Sequence, residues 1–390
     1  MKVSILGHGV VGKGVFDMLE SCPEHSICHV LVRPCHANSK TSCMVDSIER
    51  VLDDDSSLVI ECIGGEEPAF EYVFKCLEAG KSIITANKAL VAAHGLELAS
   101  LAKSKGLAFL FSAACGGAIP ILQNLFLTRQ TDRILCAGGI LNGTTNFILD
   151  AMDKRALSFE QALKEAQSLG YAESDPTADI TGLDTFRKIL LLSMVAFDLL
   201  PESGYDMEGI QHVKADDFEF TKAHGCTIRL IGMTGISETG RHYAYVEPML
   251  CRENSQYAGV STNLNLAQYK GENCGTMSFC GQGAGRYPTA SAILRDITSV
   301  ASGQKRMLEG VCTKGPVSND AKECMKRYFI RIEDAHFGLL TEMFYVKDVV
   351  KRNEGSTYVM TEETSVRTMH DKVREMRKQG AKLFFAEYED

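Results

Sequence analysis

Apolar positions recur along this chain with two periods, and the two alternate. Lys2 to Leu6 alternates and is rich in β-branched side chains, then gives way at Gly7-His8-Gly9-Val10-Val11-Gly12 to an amphipathic stretch through Leu19. A period of two followed by one near 3.6 predicts a strand and then a helix. Further strands are predicted at Ile27 to Val32, Leu58 to Ile63 and Ser82 to Thr85, with a helix from near Pro68 to Gly80. Strands alternating with helices predict an α/β fold: a Rossmann-type, doubly wound parallel sheet with right-handed crossovers. Ligands bind outside the carboxyl ends of such strands. Those ends carry Gly64-Gly65-Glu66 and Thr85-Ala86-Asn87-Lys88.

Beyond this sheet the pattern changes. Met152 to Leu169 has a helical period with charged faces and is closed by Gly170, while Thr227 to Met233, His242 to Met249 and Met277 to Cys280 read as strands. The middle is therefore predicted to be α+β. Gly281 to Gly285, followed by a helix beginning near Pro288, repeats the logic of the first glycine turn. After Gly315-Pro316 comes a strand at Arg327 to Ile332, a helix at Phe337 to Met343 and a strand at Thr357 to Met360. A charged amphipathic helix at Ser365 to Gln379 and a last strand at Lys382 to Glu387 follow.

The 390 residues are enough for two or three domains, and 45% apolar residues mark an ordinary globular chain. The net charge of -9, without clustered Lys and Arg, argues against a nucleic-acid surface. The fourteen cysteines show no paired metal spacing, and no charged, apolar leader precedes the strand that begins at residue 2. Free thiols in a reducing cytoplasm are the expectation, with small molecules and further copies of the chain as partners. No apolar run approaches the length of a bilayer span.

Candidate chemistry gathers in two places. A glycine turn between a strand and a helix leaves backbone N–H groups and a positive helix end facing a pyrophosphate, so Gly7, Gly9, Val10, Val11 and Gly12 predict a dinucleotide site. The second strand continues into Arg33 rather than into the Asp or Glu that holds the ribose of NAD. A guanidinium there, with Lys40 as a second cation, suits the 2′-phosphate of NADP. The lesser reading makes Arg33 a solvated residue after an edge strand, and NAD stays the alternative cofactor. The other place is Ser168 to Ser193, with Glu173, Asp175, Asp179 and Asp184 followed by an apolar helix carrying Lys188. Asp184 and Lys188 then share one helix face, either as part of a site or as an ordinary i,i+4 ion pair.

Residues 61 to 92, ECIGGEEPAFEYVFKCLEAGKSIITANKALVA, resemble the homoserine dehydrogenase family, and later motifs agree in order: Gly116-Gly117-Ala118-Ile119-Pro120, Gly139 to Asn146, Ser168 to Ser193, and Gly281 to Gly285 with Pro288-Thr289-Ala290. The resemblance covers about residues 1 to 310. It implies a dinucleotide-binding domain at 1–125 plus 285–310, an inserted catalytic and dimerisation domain at 126–284, and a homodimer. The stretch 316–390 resembles a ferredoxin-like ACT module, shortened because no room is evident for another strand between Met343 and Thr357.

The activity so implied is reduction of aspartate 4-semialdehyde to homoserine by NADPH or NADH, in threonine and methionine biosynthesis. Such a reaction needs a placed hydride, a proton for the developing alkoxide, and complements to the substrate's ammonium and carboxylate. By the resemblance Lys88 and Lys188 lie near the reacting oxygen, and Asp184 orients Lys188. Glu173, Asp179 and Asp184 suit the ammonium, while Asn142, Gly143, Thr144 and nearby N–H groups suit the carboxylate. Gly64, Gly65, Asn87, Lys88, Gly283 and Ala284 join the cofactor site. Ser112 stands where relatives commonly carry Glu beside a monovalent-cation loop, here Cys115 to Gly117, which argues against a bound sodium or potassium ion. The alternatives are a dehydrogenase of another amino-aldehyde and a non-catalytic NADP-binding regulator.

Overall fold

Six short strands open the chain: β1 (Lys2–Leu6), β2 (Ser26–Leu31), β3 (Met44–Val45), β4 (Leu58–Glu61), β5 (Ser82–Thr85) and β6 (Phe109–Leu110). All pair in parallel, in the order 3-2-1-4-5-6 of a dinucleotide-binding sheet. Val3, Ile5, Leu58, Val59, Ile60, Ile83 and Ile84 are fully buried, because helices cover both faces of such a sheet. The helices are α1 (Val10–Glu20), α2 (Ile48–Leu52), α3 (Ala69–Glu78), α4 (Lys88–Ser104) and α5 (Ile121–Thr128). The computed structural model describes residues 1–33, 42–201, 206–308, 317–353 and 355–389. Lys40 and the Gly315-Pro316 boundary lie outside them.

The middle stretch supplies β7 (Ile134–Ile140), α6 (Gly143–Arg155), α7 (Phe159–Ser168), α8 (Thr177–Ile180), α9 (Leu183–Phe197), β8 (Asp206–Met207), α10 (Ala215–Ala223), β9 (Cys226–Ile236), β10 (His242–Arg252), β11 (Leu264–Gly271) and β12 (Gly275–Gln282). The single helix expected at Met152 to Leu169 is two. Ala156 turns left-handed at φ 52°, and Ser158 and Gln161 form a capping box that restarts the chain as α7. The Asn142 to Asn146 cluster is the cap and first turn of α6, not a free polar turn.

After α11 (Arg286–Ala301) come β13 (Met325–Lys326), β14 (Tyr328–Glu333), α12 (Phe337–Met343), β15 (Val346–Asn353), β16 (Ser356–Thr361), β17 (Thr364–Ser365), α13 (Val366–Lys378) and β18 (Leu383–Tyr388). Contrary to the expectation from the sequence, a strand does lie between Met343 and Thr357, as β15. Apart from the short β13–β17 ladder, the run is β-α-β-β-α-β, with the four strands side by side as β18-β14-β16-β15, the ferredoxin-like order. The module is not shortened. Its strand is hard to read because Lys347, Asp348, Lys351 and Arg352 break the apolar alternation, and register shifts interrupt its pairing with β16.

The chain forms two compact units. One comprises Met1–Arg133, Leu190–Leu199 and Gly281–Gly315; the other comprises Ile134–Ile189, Leu200–Cys280 and Pro316–Asp390. In the second unit one sheet runs β12-β11-β7-β9-β10-β18-β14-β16-β15, with β8 paired to β10. The carboxyl-terminal strands thus extend the middle sheet through the parallel β10–β18 contact, Met249 opposite Glu387 and Leu250 opposite Tyr388. Buried polar groups reinforce that junction. Glu247 of β10 accepts a bond from the Tyr328 hydroxyl at 3.0 Å and meets His370 Nε2 of α13 at 3.0 Å. Burial pushes the Glu247 carboxyl well above its ordinary pKa and holds His370 down at about 4. Among the described residues no helix is long and apolar enough to cross a membrane.

Candidate active site

The glycine turn is built for close approach. Gly7 takes φ +97°, and a Cβ on it would lie 2.8 Å from the Cys62 carbonyl oxygen; one on Gly12 would lie 2.1 Å from the Gly7 oxygen. Gly9 caps α1 without a side-chain hydrogen bond, and a Cβ there would meet nothing within 4 Å. No acid occupies the first turn of α1, so the positive helix end faces open space beside an exposed Val10. These residues fit a dinucleotide pyrophosphate. Arg33 is exposed two residues past β2. At the ends of β4 and β5, Gly64 and Gly65 have positive φ, and Asn87 caps α4 by accepting from Leu90 N at 3.1 Å. Lys88 is therefore the first residue of α4 and is half-buried.

The later glycine segment belongs to this same unit. A Cβ on Gly117 would lie 2.6 Å from the Gly283 carbonyl carbon and 2.8 Å from Ala284 N, and Ala118 N donates to the Gln282 carbonyl at 3.2 Å. Cys115 is fully buried beside this contact. Ser112 donates to Asp296 of α11 from its backbone N at 2.9 Å and from its hydroxyl at 2.6 Å, while Gln123 adds a third bond at 3.0 Å. Asp296 was not singled out from the sequence, since nothing in an amphipathic helix distinguishes an inward carboxylate of this kind. Among the described residues no group of three or more His, Cys, Asp or Glu is gathered as a metal site requires.

Burial raises the Asp296 pKa from 3.8 to about 6. The folded state thus holds a proton that the unfolded chain releases near pH 4, and Asp296 lowers stability as pH rises from about 4 through 6. A shift of that size corresponds to about 3 kcal/mol. Asp296→Asn is expected to remove this slope. Melting temperatures from pH 4 to 7 that fall in parallel for both proteins would contradict it.

In the second unit the predicted polar residues converge. Asp184 and Lys188 on α9 meet at 2.7 Å, and Lys188 Nζ also donates to the Leu141 carbonyl just past β7. Asn142 caps α6 through its Oδ1, which accepts from Thr145 N at 2.8 Å. Its Nδ2 donates to Asp179 at 2.7 Å and to Asp184 at 2.8 Å. Asp184 Oδ2 therefore accepts from both Lys188 and Asn142. The Asp184 and Lys188 side chains are only 7% and 9% exposed. A buried ion pair gives little net stability over apolar packing, so a merely structural reading leaves this one without a reason.

The remaining candidates fall around this pair. The Thr144 hydroxyl donates to the Tyr171 carbonyl at 2.6 Å, and Gly143 passes so close to Asn263 that a Cβ would lie 2.6 Å from its carbonyl oxygen. Glu173 is exposed, with its backbone carbonyl bonded by Gln167. Asp175 accepts from the N–H and hydroxyl of Thr177 and so begins α8. Asn265, fully buried in β11 next to Gly143, has neither amide atom paired; in the alternation Asn263-Leu264-Asn265-Leu266 it reads as an outward-facing residue.

A 3-2-1-4-5-6 sheet with a glycine turn marks a dinucleotide-binding protein, and a buried amine–carboxylate pair is a group able to move a proton. The chain belongs to the homoserine dehydrogenase family: residues 7–112 match the model described as homoserine dehydrogenase, NAD binding domain, and residues 120–298 the model described as homoserine dehydrogenase. Homoserine dehydrogenase of Bacillus subtilis is 33% identical over 90% of this chain and 86% of its own length. That of Corynebacterium glutamicum is 37% identical over 76% of this chain and 69% of its own. Among solved structures, a homoserine dehydrogenase from Thiobacillus denitrificans superposes with a TM-score of 0.89 at 29% identity, covering 100% of this chain and 98% of that one. The protein is thus an oxidoreductase of amino-acid biosynthesis that reduces aspartate semialdehyde to homoserine with NAD(P)H.

Proposed function

We propose that Lys188 donates the proton in this reaction, that Lys88 polarises the reacting carbonyl, and that NADP is the preferred cofactor. The observation that carries the first assignment is the buried Asp184–Lys188 contact, shared with Asn142. Two acceptors, Asp184 Oδ2 and the Leu141 carbonyl, fix the Lys188 ammonium on its helix. When bound, the nicotinamide supplies the hydride. Lys188 gives its proton to the alkoxide oxygen, becomes a neutral amine and recovers a proton from solvent. Asp184 keeps the amine oriented.

Substrate charge is divided between two ends. Glu173 and Asp179 complement the ammonium, the first exposed and the second half-buried. Asn142 and Thr144 direct their side-chain donors to protein acceptors, so the carboxylate falls chiefly to the backbone N–H groups in the first turn of α6, starting at Gly143. A homodimer formed through the second sheet accords with the exposed edge strand β12, where Met277 is 41% exposed.

Following NADPH and NADH absorbance with aspartate 4-semialdehyde tests the reading directly. Turnover with NADPH is expected to exceed that with NADH. Arg33→Ala should raise the KM for NADPH about tenfold while leaving that for NADH within twofold, the effect of losing one charge-assisted phosphate contact. Equal changes for the two cofactors would overturn the NADP assignment.

A further inference from the structure

We propose that Glu61 is a positioning residue for Lys88, a single buried carboxylate that locks the loops at the carboxyl ends of β4 and β5 into one arrangement. Glu61 ends β4 opposite Thr85, the last residue of β5, and has no exposed surface. Its Oε1 accepts from Ile63 N at 2.7 Å, Gly64 N at 3.3 Å and Asn87 Nδ2 at 3.4 Å, and its Oε2 accepts from the Thr85 hydroxyl. Thr85 Oγ1 in turn accepts from Asn87 N at 2.9 Å, and Asn87 Nδ2 donates to the Gly65 carbonyl at 2.5 Å. The same Asn87 caps α4, whose first residue is Lys88.

One side chain thus joins the Ile63–Gly65 turn, the end of β5 and the cap that fixes where Lys88 leaves the helix. Every bonded neighbour donates to it here, so an ionised acid accepts all four bonds in place, whereas an amide keeps one acceptor oxygen and makes the Thr85 hydroxyl turn round. The three residues before it, Leu58, Val59 and Ile60, are fully buried and apolar. An apolar side chain would hold the strand equally well at that depth, and a buried charge is costly. Burial raises the Glu61 pKa, and the four donors oppose that shift. What the acid adds over an apolar residue is a fixed geometry for the groups that follow the strands.

The inference rests on the role given above to Lys88, and a double-mutant cycle separates the two. Turnover at saturating substrate, NADPH affinity by fluorescence and melting temperature are measured for Glu61→Gln, Lys88→Ala and the pair. Glu61→Gln should fold, lower kcat about 10- to 100-fold and change the KM for the semialdehyde less than threefold. In the Lys88→Ala background the same substitution should change kcat less than twofold. Equal losses in both backgrounds, or wild-type kcat for Glu61→Gln beside a disabled Lys88→Ala, would overturn the inference. Undiminished kcat in Lys88→Ala would instead refute the role of Lys88, and with it the coupling. Should Glu61→Gln not melt cooperatively, Glu61→Asp keeps the charge on a shorter arm and replaces it in the cycle. It is expected to lose kcat about 3- to 10-fold, only when Lys88 is present.

Discussion

Lys188→Ala is expected to lower kcat by about three orders of magnitude, within the range for loss of a positioned general acid. NADPH affinity should stay within about twofold, since the nucleotide turn is made of other residues. The fold should also weaken. Asp184 keeps the Asn142 bond but loses its cation at a site where its side chain is 7% exposed, and breaking a buried pair costs on the order of 3 kcal/mol. Because instability alone also depresses activity, turnover is best measured at saturating substrate and well below the melting temperature. A small primary amine added to the variant offers a second readout: it fits the vacated volume beside Asp184 and should restore part of kcat. Retention of most turnover at saturating substrate would sink the assignment of the proton donor.

Gly12→Ala is expected to weaken NADPH binding at least about 100-fold, because the added methyl has no place to go. Its Cβ would lie 2.1 Å from the Gly7 oxygen and 3.0 Å from the Gly7 carbonyl carbon, both backbone atoms. The helix and the turn must then part, and the N–H groups at the start of α1 leave their aim. Gly9→Ala is the informative control, since a Cβ there meets no protein atom within 4 Å. It should leave the melting temperature nearly unchanged and still weaken NADPH binding, because it puts a methyl group into the open space at the helix end. Fluorescence titration checks both, and Gly12→Ala binding within threefold of wild type would contradict the prediction.

Much of the fold is written in local pattern. The alternating apolar strands and the glycine turns place the first sheet, and i,i+4 spacing brings Asp184 onto Lys188 as observed. What local pattern misses has physical causes. The helical period runs through Ala156 unbroken, so only the left-handed residue and the Ser158 cap reveal that it restarts. The charged side chains of Val346 to Asn353 conceal β15, because an edge strand has one neighbour and needs less apolar surface. Inward-facing polar residues such as Glu61, Asp296 and Asn265 read as surface or core until their neighbours, far away in sequence, are known. Asn142 reads as a polar donor in the sequence, and the structure adds that its amide bonds Asp179 and Asp184; the sequence shows the donor and not where it points.

The long sheet also constrains how the polypeptide can be made. β18, residues 383–388, is an inner strand lying between β10 and β14, so the sheet cannot close until those late residues have left the ribosome. Until then β10 lacks a partner on that edge beyond its short pairing with β8, and β14, once made, waits for the same strand. Mispairing of extended segments is thus open to this sheet from residue 253 until β18 is made, whereas all six strands of the nucleotide-binding sheet exist by residue 110.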